Sequence, residues 1–222
     1  MRKTFALLAS LALIACAGKN TTKESVATPV TEGAEIVLVQ PDLEAGAPIN
    51  TALKNRCSSR DFSEAPLSLE ELSGVMWAAA GINREDGHLT APSALGLYPV
   101  KVYAFLAGGV YLYEAKEHKL VRLVEGDYRP LAARQEFANK AALNIAYIAD
   151  KSVYADRPMP AEVVALLCAQ DAAGYAENVN LYAAGHGLKA ITRGSMQSDE
   201  MLKLLNLAPE QHLTVLAQTV GK

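Results

Sequence analysis

The stretch Arg56-Cys57-Ser58-Ser59-Arg60-Asp61-Phe62 decides how this chain is read. It opens with two guanidinium groups and two hydroxyls inside five residues, a local recipe for gripping a phosphate or another anionic group. On composition alone, a solvated basic turn is the simpler account. Directly downstream the pattern turns helical. Ser68 and Glu71 stand at capping-box spacing, Leu69, Leu72, Val75, Met76 and Ala79 recur at helical intervals, and Gly81 supplies a stop. These signals predict a helix over residues 69–80 with one buried stripe.

Beyond that helix the period shifts to two. Val100, Val102, Ala104 and Leu106 alternate with their neighbours, Gly108-Gly109 offers a tight turn, and residues 110–113 return as a second strand. Residues 119–124 predict a third strand, 129–139 a helix, and 143–149 a buried strand. After Pro158 and Pro160 comes the longest predicted element, a helix over 161–184 that contains Gly174. A strand at 189–192, a helix at 198–206 and a strand at 213–220 complete an α+β pattern without internal repeats. Upstream, Ile36-Val37-Leu38-Val39 reads as an edge strand or as an arm lying on a partner.

Residues 1–15 have the form of a bacterial export signal: Arg2 and Lys3, then twelve mostly apolar residues from 4 to 15, then Cys16. Twelve residues are too few for a transmembrane helix, which needs about twenty, so the segment is not read as a membrane span. Leu13-Ile14-Ala15-Cys16 resembles the lipobox of bacterial lipoproteins. That likeness implies lipidation at Cys16, membrane contact only through this anchor, and a location on the periplasmic face of the cell envelope. Residues 16–34, with little apolar content, read as a flexible tether, which leaves 35–222 as the folded domain.

Loss of Arg2 and Lys3 leaves 19 of the 21 basic groups against 24 acidic ones, a net charge of −5. A nucleic-acid binder would show a clustered basic excess instead. With Cys16 spent on lipid, Cys57 and Cys168 are too few for a disulfide scaffold or a structural zinc site, although one bridge between them is open to an exported protein. His88, His118, His186 and His212 fall in four separate segments without ligand spacing, which argues against zinc. No G-x-S-x-G elbow is present. Cys57 has nearby cations in Arg56 and Arg60 but no visible base to make it a nucleophile. Gly185-His186-Gly187-Leu188-Lys189-Ala190 matches G-x-G-x-x-A in letters only. Dinucleotide binding needs a strand before those glycines and a helix after them, and the order here is the reverse, so a helix stop with a sharp turn is expected.

Four stretches together give a resemblance. Arg56-Cys57-Ser58-Ser59-Arg60-Asp61-Phe62 resembles the opening FMN motif of the nitroreductase superfamily, R-[RH]-S-x-[RK]-x-F. In the family's order follow Trp77-Ala78-Ala79-Ala80-Gly81-Ile82-Asn83-Arg84-Glu85-Asp86-Gly87, then Thr90-Ala91-Pro92-Ser93-Ala94-Leu95-Gly96-Leu97-Tyr98-Pro99, then Gly187-Leu188 through Arg193-Gly194. Ala217-Gln218-Thr219-Val220-Gly221 is similar to the family's last core strand, so the likeness runs from about residue 53 to the end.

The resemblance implies a nitroreductase-like α+β fold: a central, mainly antiparallel sheet flanked by helices, and a homodimer through the long helix. Ala165, Ala169, Ala172, Ala173 and Ala176 of that helix suit close packing. It implies FMN as cofactor, with Arg56 and Ser58 at the phosphate and ribityl chain and the backbone of Cys57 close by. Arg60 would meet the N1/O2 edge, where a fixed guanidinium favours reduced flavin. Pro92, Ser93 and Ala94 would form the loop against the ring, with Gly96, Gly187 and Leu188 also in the cofactor set. Arg193 and Gly194, in the catalytic role, would turn backbone N–H groups toward N5 and O4.

Several positions depart from the pattern. Many relatives carry Asn and Gln where this chain has Gly96 and Tyr98, and Leu95-Gly96-Leu97-Tyr98-Pro99 is closer to the thiazoline-oxidising branch, whose large extra regions are not visible. Lys189 replaces a small residue. The sequence stops at Lys222, the candidate for the cation that relatives deliver to the phosphate from a longer tail. The expected function is FMN-dependent transfer of two electrons to a small nitroaromatic or quinone-type acceptor. The alternative is a non-catalytic flavin-binding or partner-binding envelope lipoprotein. NADH and NADPH, the family's usual donors, are kept in the cytoplasm, so export implies another reductant.

Overall fold

The computed structural model describes Val30 and residues 33–222, so the segment read as an export signal, Cys16 and most of the expected tether lie outside the described residues. Strands β1 (Glu35–Val37), β2 (Val100–Leu106), β3 (Gly109–Glu114), β4 (Lys119–Glu125), β5 (Leu143–Asp150), β6 (Lys189–Arg193) and β7 (His212–Gly221) pair into one sheet. Their order is β1-β4-β3-β2-β5-β7-β6, and every neighbouring pair is antiparallel. Among the described residues four α-helices accompany it: α1 (Ile49–Asn55), α2 (Leu69–Ala80), α3 (Ala161–Gly185) and α4 (Ser198–Leu204). Among the described residues no helix is long and apolar enough to cross a membrane.

Period-two alternation divides the core into two layers. Val100, Val102 and Ala104 of β2 pack with α2 and α3 on one face, while Tyr103 and Phe105 meet Met201 and Leu202 of α4 on the other. α2 forms where the sequence predicts. Ser68 Oγ accepts the Glu71 N–H at 3.1 Å, the Glu71 carboxyl accepts the Ser68 N–H at 2.7 Å, and Leu72, Val75, Met76 and Ala79 are buried. Each of the three larger side chains contributes roughly 1.5–3 kcal/mol by burial.

α3 runs along the sheet from the end marked by Asp150 and His212 to the end marked by Leu143, Gly221 and Lys189. One face is buried through Val164, Cys168, Ala172, Tyr175 and Val179, while Val163, Leu166, Ala173 and Glu177 lie exposed. Its stop is a Schellman turn: Gly187 has φ +71° and the Leu188 N–H donates to Ala183 O at 2.9 Å. This is the helix stop expected at Gly185-His186-Gly187.

Two elements differ from expectation. α1 was not anticipated, because seven residues hold too few periods to register. Residues 129–139 form two short 3-10 turns, Arg129–Ala132 and Glu136–Ala138, rather than one helix. Pro130 sits in the first turn, Ala133 is extended, and the Arg129 side chain folds back onto Ala141 O at 3.0 Å. Cys57 is exposed and Cys168 buried, and no bridge joins them.

Candidate functional site

The segment after α1 lies against the edge strand β6. Ser58 forms a parallel bridge with Ala190, and the Ser59 N–H donates to Ala190 O at 3.0 Å. Between this segment, α3 and the Schellman turn opens a cleft of about 160 Å³ lined by Asn55, Cys57, Ser59, Asn180, Leu188 and Lys189. Three cations border it loosely. Arg56 Nε stands 4.0 Å from Glu177 Oε1, Lys189 Nζ stands 3.8 Å from Asp61 Oδ2, and Arg60 is exposed without an ion pair among the described residues. Exposed pairs at such distances hold little energy, so these cations are free to turn to an anion.

Further along β6, Arg193 sends its guanidinium into the protein. It donates to Ala132 O at 2.8 Å, Ser195 O at 3.3 Å, Asn144 Oδ1 at 3.1 Å and Thr219 Oγ1 at 2.7 Å, and burial lowers its pKa to about 10. The side chain is thus committed to the interior rather than to a ligand. Gly194 beside it is open: a Cβ built there meets nothing within 4 Å. Behind the cleft, buried Gln218 takes the Tyr147 hydroxyl at 2.6 Å and donates to Ala176 O at 2.9 Å and Asn180 Oδ1 at 2.7 Å. That network holds α3 against the sheet.

Pro92, Ser93, Ala94 and Gly96 lie elsewhere. The Ser93 hydroxyl donates to Asp171 Oδ2 at 2.5 Å and the Ala94 N–H to Asp171 Oδ1 at 3.2 Å, which fastens the loop to the first half of α3. Ala184, on the far side of the cleft, is thirteen residues further along the helix, about 20 Å at 1.5 Å per residue. One chain therefore brings together Arg56, Cys57, Ser58, Gly187 and Leu188, with Arg60 next to Ser59 in sequence; Gly194 stands past the far end of β6, and the Pro92–Gly96 loop lies apart. Lys222 lies near the second sheet end, where its ammonium is 3.0 Å from Glu71 Oε2.

Asp171 was missed in the sequence although a signal exists: it is the acid in a stripe of Val164, Cys168, Ala172 and Tyr175 otherwise fit for the core. Asn180 and Glu177 carry no such mark, because only the fold turns them toward Gln218 and Arg56.

The cleft suits the tail of a flavin mononucleotide. Loosely paired cations flank it, the Ser59 hydroxyl lines it, and Gly187, in the turn before Leu188, leaves space that a side chain would fill. At about 160 Å³ it is below the roughly 300–1,000 Å³ of sites that enclose a ligand of that size, so one chain offers a shelf rather than an enclosure.

Comparison with known proteins agrees with this geometry. The sequence profile of the nitroreductase family matches residues 53–222. A protein of Methanocaldococcus jannaschii named "putative nitroreductase" is 30% identical over 196 residues, 82% of this chain and 94% of that one. A crystal structure of a protein of the same description from Ralstonia eutropha is 33% identical, covers 90% of this chain and 95% of its own, and superposes with a TM-score of 0.79. A Desulfovibrio desulfuricans protein crystallised with FMN shares the fold at a TM-score of 0.56 and 22% identity, over 78% of this chain and 85% of that one. On the profile and these two nearer relatives, the chain belongs to the nitroreductase family of FMN-dependent oxidoreductases.

Proposed function

We propose that this chain works as a homodimeric FMN oxidoreductase that passes two electrons to a small electron-poor acceptor of the nitroaromatic or quinone type. The observation that carries it is the set of loosely held cations, Arg56, Arg60 and Lys189, gathered beside the exposed turn at Gly187. Arg56 and Ser58 hold the phosphate and ribityl chain, and Arg60 stabilises negative charge on the ring. The backbone N–H of Gly194, an exposed residue, is offered to the ring edge, while the Arg193 side chain is directed into the core. Bound FMN supplies the two-electron redox chemistry.

A second copy completes the site. The Pro92–Gly96 loop is fastened at Asp171, nine residues and about 14 Å along α3 from Asn180, the nearest residue of that helix in the cleft, and the exposed face of α3, with Val163, Leu166 and Ala173, suits packing against a partner α3. Antiparallel apposition of two such helices sets the loop of each copy beside the cleft of the other. The export signal and Cys16 support a lipid-anchored protein at the periplasmic face, fed by a reductant other than NADPH, such as a membrane quinol or a partner flavoprotein.

Purified protein is expected to be yellow, with flavin absorption near 450 nm that bleaches under reductant and returns on addition of a nitroaromatic. Bleaching without reoxidation by any acceptor would favour the non-catalytic carrier. A colourless protein that takes up no added FMN, with Arg56→Ala indistinguishable from wild type, would sink the flavin reading. Efficient NADPH oxidation with a micromolar KM would count against the separate donor.

A further inference from the structure

We infer that Asp171 is the positioning residue for the Pro92–Gly96 loop, holding it in the single shape that faces the flavin. This rests on the FMN reading proposed above. Asp171 is 3% exposed, and both of its oxygens are spent on the loop: Oδ2 accepts the Ser93 hydroxyl at 2.5 Å and Oδ1 the Ala94 N–H at 3.2 Å. Ser93 Oγ in turn accepts the Tyr98 N–H at 2.8 Å, so one side chain gathers both ends of the turn.

The turn needs such a restraint. Leu95, Gly96 and Tyr98 have φ of 59°, 65° and 48°, and the left-handed region is unfavourable for the two that carry a Cβ. Strain of this kind persists only where surrounding contacts over-determine the backbone. Helix α3 does not require the contact for itself. Tyr175, one turn beyond Asp171, keeps a buried hydroxyl without a partner, while the Asp171 carboxyl is directed at the loop. The departure at Gly96 has the same logic, because a left-handed residue open to solvent is the natural place for glycine.

Hydrogen-bond chemistry orders the variants. Alanine at 171 removes both acceptors. Asparagine keeps one oxygen and presents an NH2 to a group that already donates, so Asp171→Asn falls between wild type and Asp171→Ala. Ser93→Ala, in a half-buried loop, cuts the same link without touching the helix.

The experiment titrates FMN into full-length apoprotein, follows flavin fluorescence, and records the visible circular dichroism of the bound flavin together with the Tm of the apo form. Asp171→Ala is expected to weaken FMN binding by about tenfold, the scale of one lost hydrogen-bonded contact to a buried acidic group, and to alter the visible dichroism. Ser93→Ala shifts affinity and dichroism in the same direction, and the losses in the double variant are less than additive, because the two residues share one hydrogen bond while Ser93 also holds the Tyr98 N–H and Asp171 the Ala94 N–H. If Asp171→Ala does not fold, the Ser93→Ala spectrum and affinity decide. Wild-type affinity and dichroism in the variants, even with a lowered Tm, overturn the proposal and leave Asp171 a purely structural residue. Failure of wild type to bind FMN overturns the flavin reading instead. Amide exchange at Ala94 and Tyr98 then tests the anchor alone, and Asp171→Ala must accelerate it relative to β5 or the anchor is also wrong.

Discussion

Lys222 Nζ lies 3.0 Å from Glu71 Oε2, the same oxygen that accepts the Ser68 N–H at 2.7 Å in the cap of α2. The Lys222 carbonyl also accepts the Ser63 N–H at 2.8 Å, so the end of β7 is stitched to the entry of α2. An ammonium used this way is not positioned for a phosphate. Lys222→Ala is expected to cost under about 1 kcal/mol, since the side chain is 39% exposed, and to change FMN affinity by less than about threefold. Arg56→Ala should lose tenfold or more on the same scale, that of a charge-assisted hydrogen bond. Thermal melts and FMN titrations check both, and a large loss of affinity in Lys222→Ala at unchanged Tm would assign the residue to the cofactor instead.

Arg193 is expected to behave as a stability residue. Replacing it by Met removes the donors to Ala132 O, Asn144 Oδ1 and Thr219 Oγ1 at buried positions, at a cost of about 3–5 kcal/mol. Urea denaturation should show the lower midpoint. The folded fraction should keep the flavin spectrum of wild type, because the Arg193 side chain is directed into the core.

A pH dependence arises at His118. Its Nδ1 lies 2.8 Å from the Tyr113 hydroxyl and its Nε2 2.9 Å from Val39 O, and burial lowers its pKa below 6.5 against the opposing pull of the Val39 carbonyl. The unfolded chain therefore binds the proton first as pH falls, and stability contributed by neutral His118 is full above 6.5 and lost progressively below it. Tm measured downward from pH 7 should fall less steeply in His118→Asn than in wild type. Asparagine suits this position because it tolerates the φ of 46°.

The exposed face of α3 gives a test of assembly. Ala173→Arg places a long charged side chain in the middle of that face, away from the cleft and from Asp171's contacts. Light scattering is expected to show a monomer, and FMN affinity should drop by about tenfold or more as the second copy's loop is removed. A monomer that binds FMN as tightly as wild type would refute completion of the site by a partner.

Local chemistry made much of the fold legible. The capping box of Ser68 and Glu71 and the stop at Gly81 set α2 to the residue, and alternation in Val100, Val102, Ala104 and Leu106 marked β2. Residues 129–139 misled because helix-compatible composition was overridden by contacts distant in sequence, those of Arg129 with Ala141 and of Gln197 with Leu131 O at 3.0 Å. Arg56, Ser58, Gly187 and Gly194, proposed for the site, stand in motifs that the sequence displays, whereas Asp171 and Asn180 belong to no motif.

By itself the sequence determined most element types, the two faces of the sheet and the family motifs from which the flavin-holding residues are proposed, because these depend on period, caps and side-chain type over a few positions. Only the tertiary structure decided where each side chain points. It turned Arg193 into the core, engaged Lys222 with a helix cap and tied Ser93 to Asp171, seventy-eight residues away. Such pairings follow from the need to satisfy buried polar groups across the whole chain, a condition that no local stretch of sequence contains.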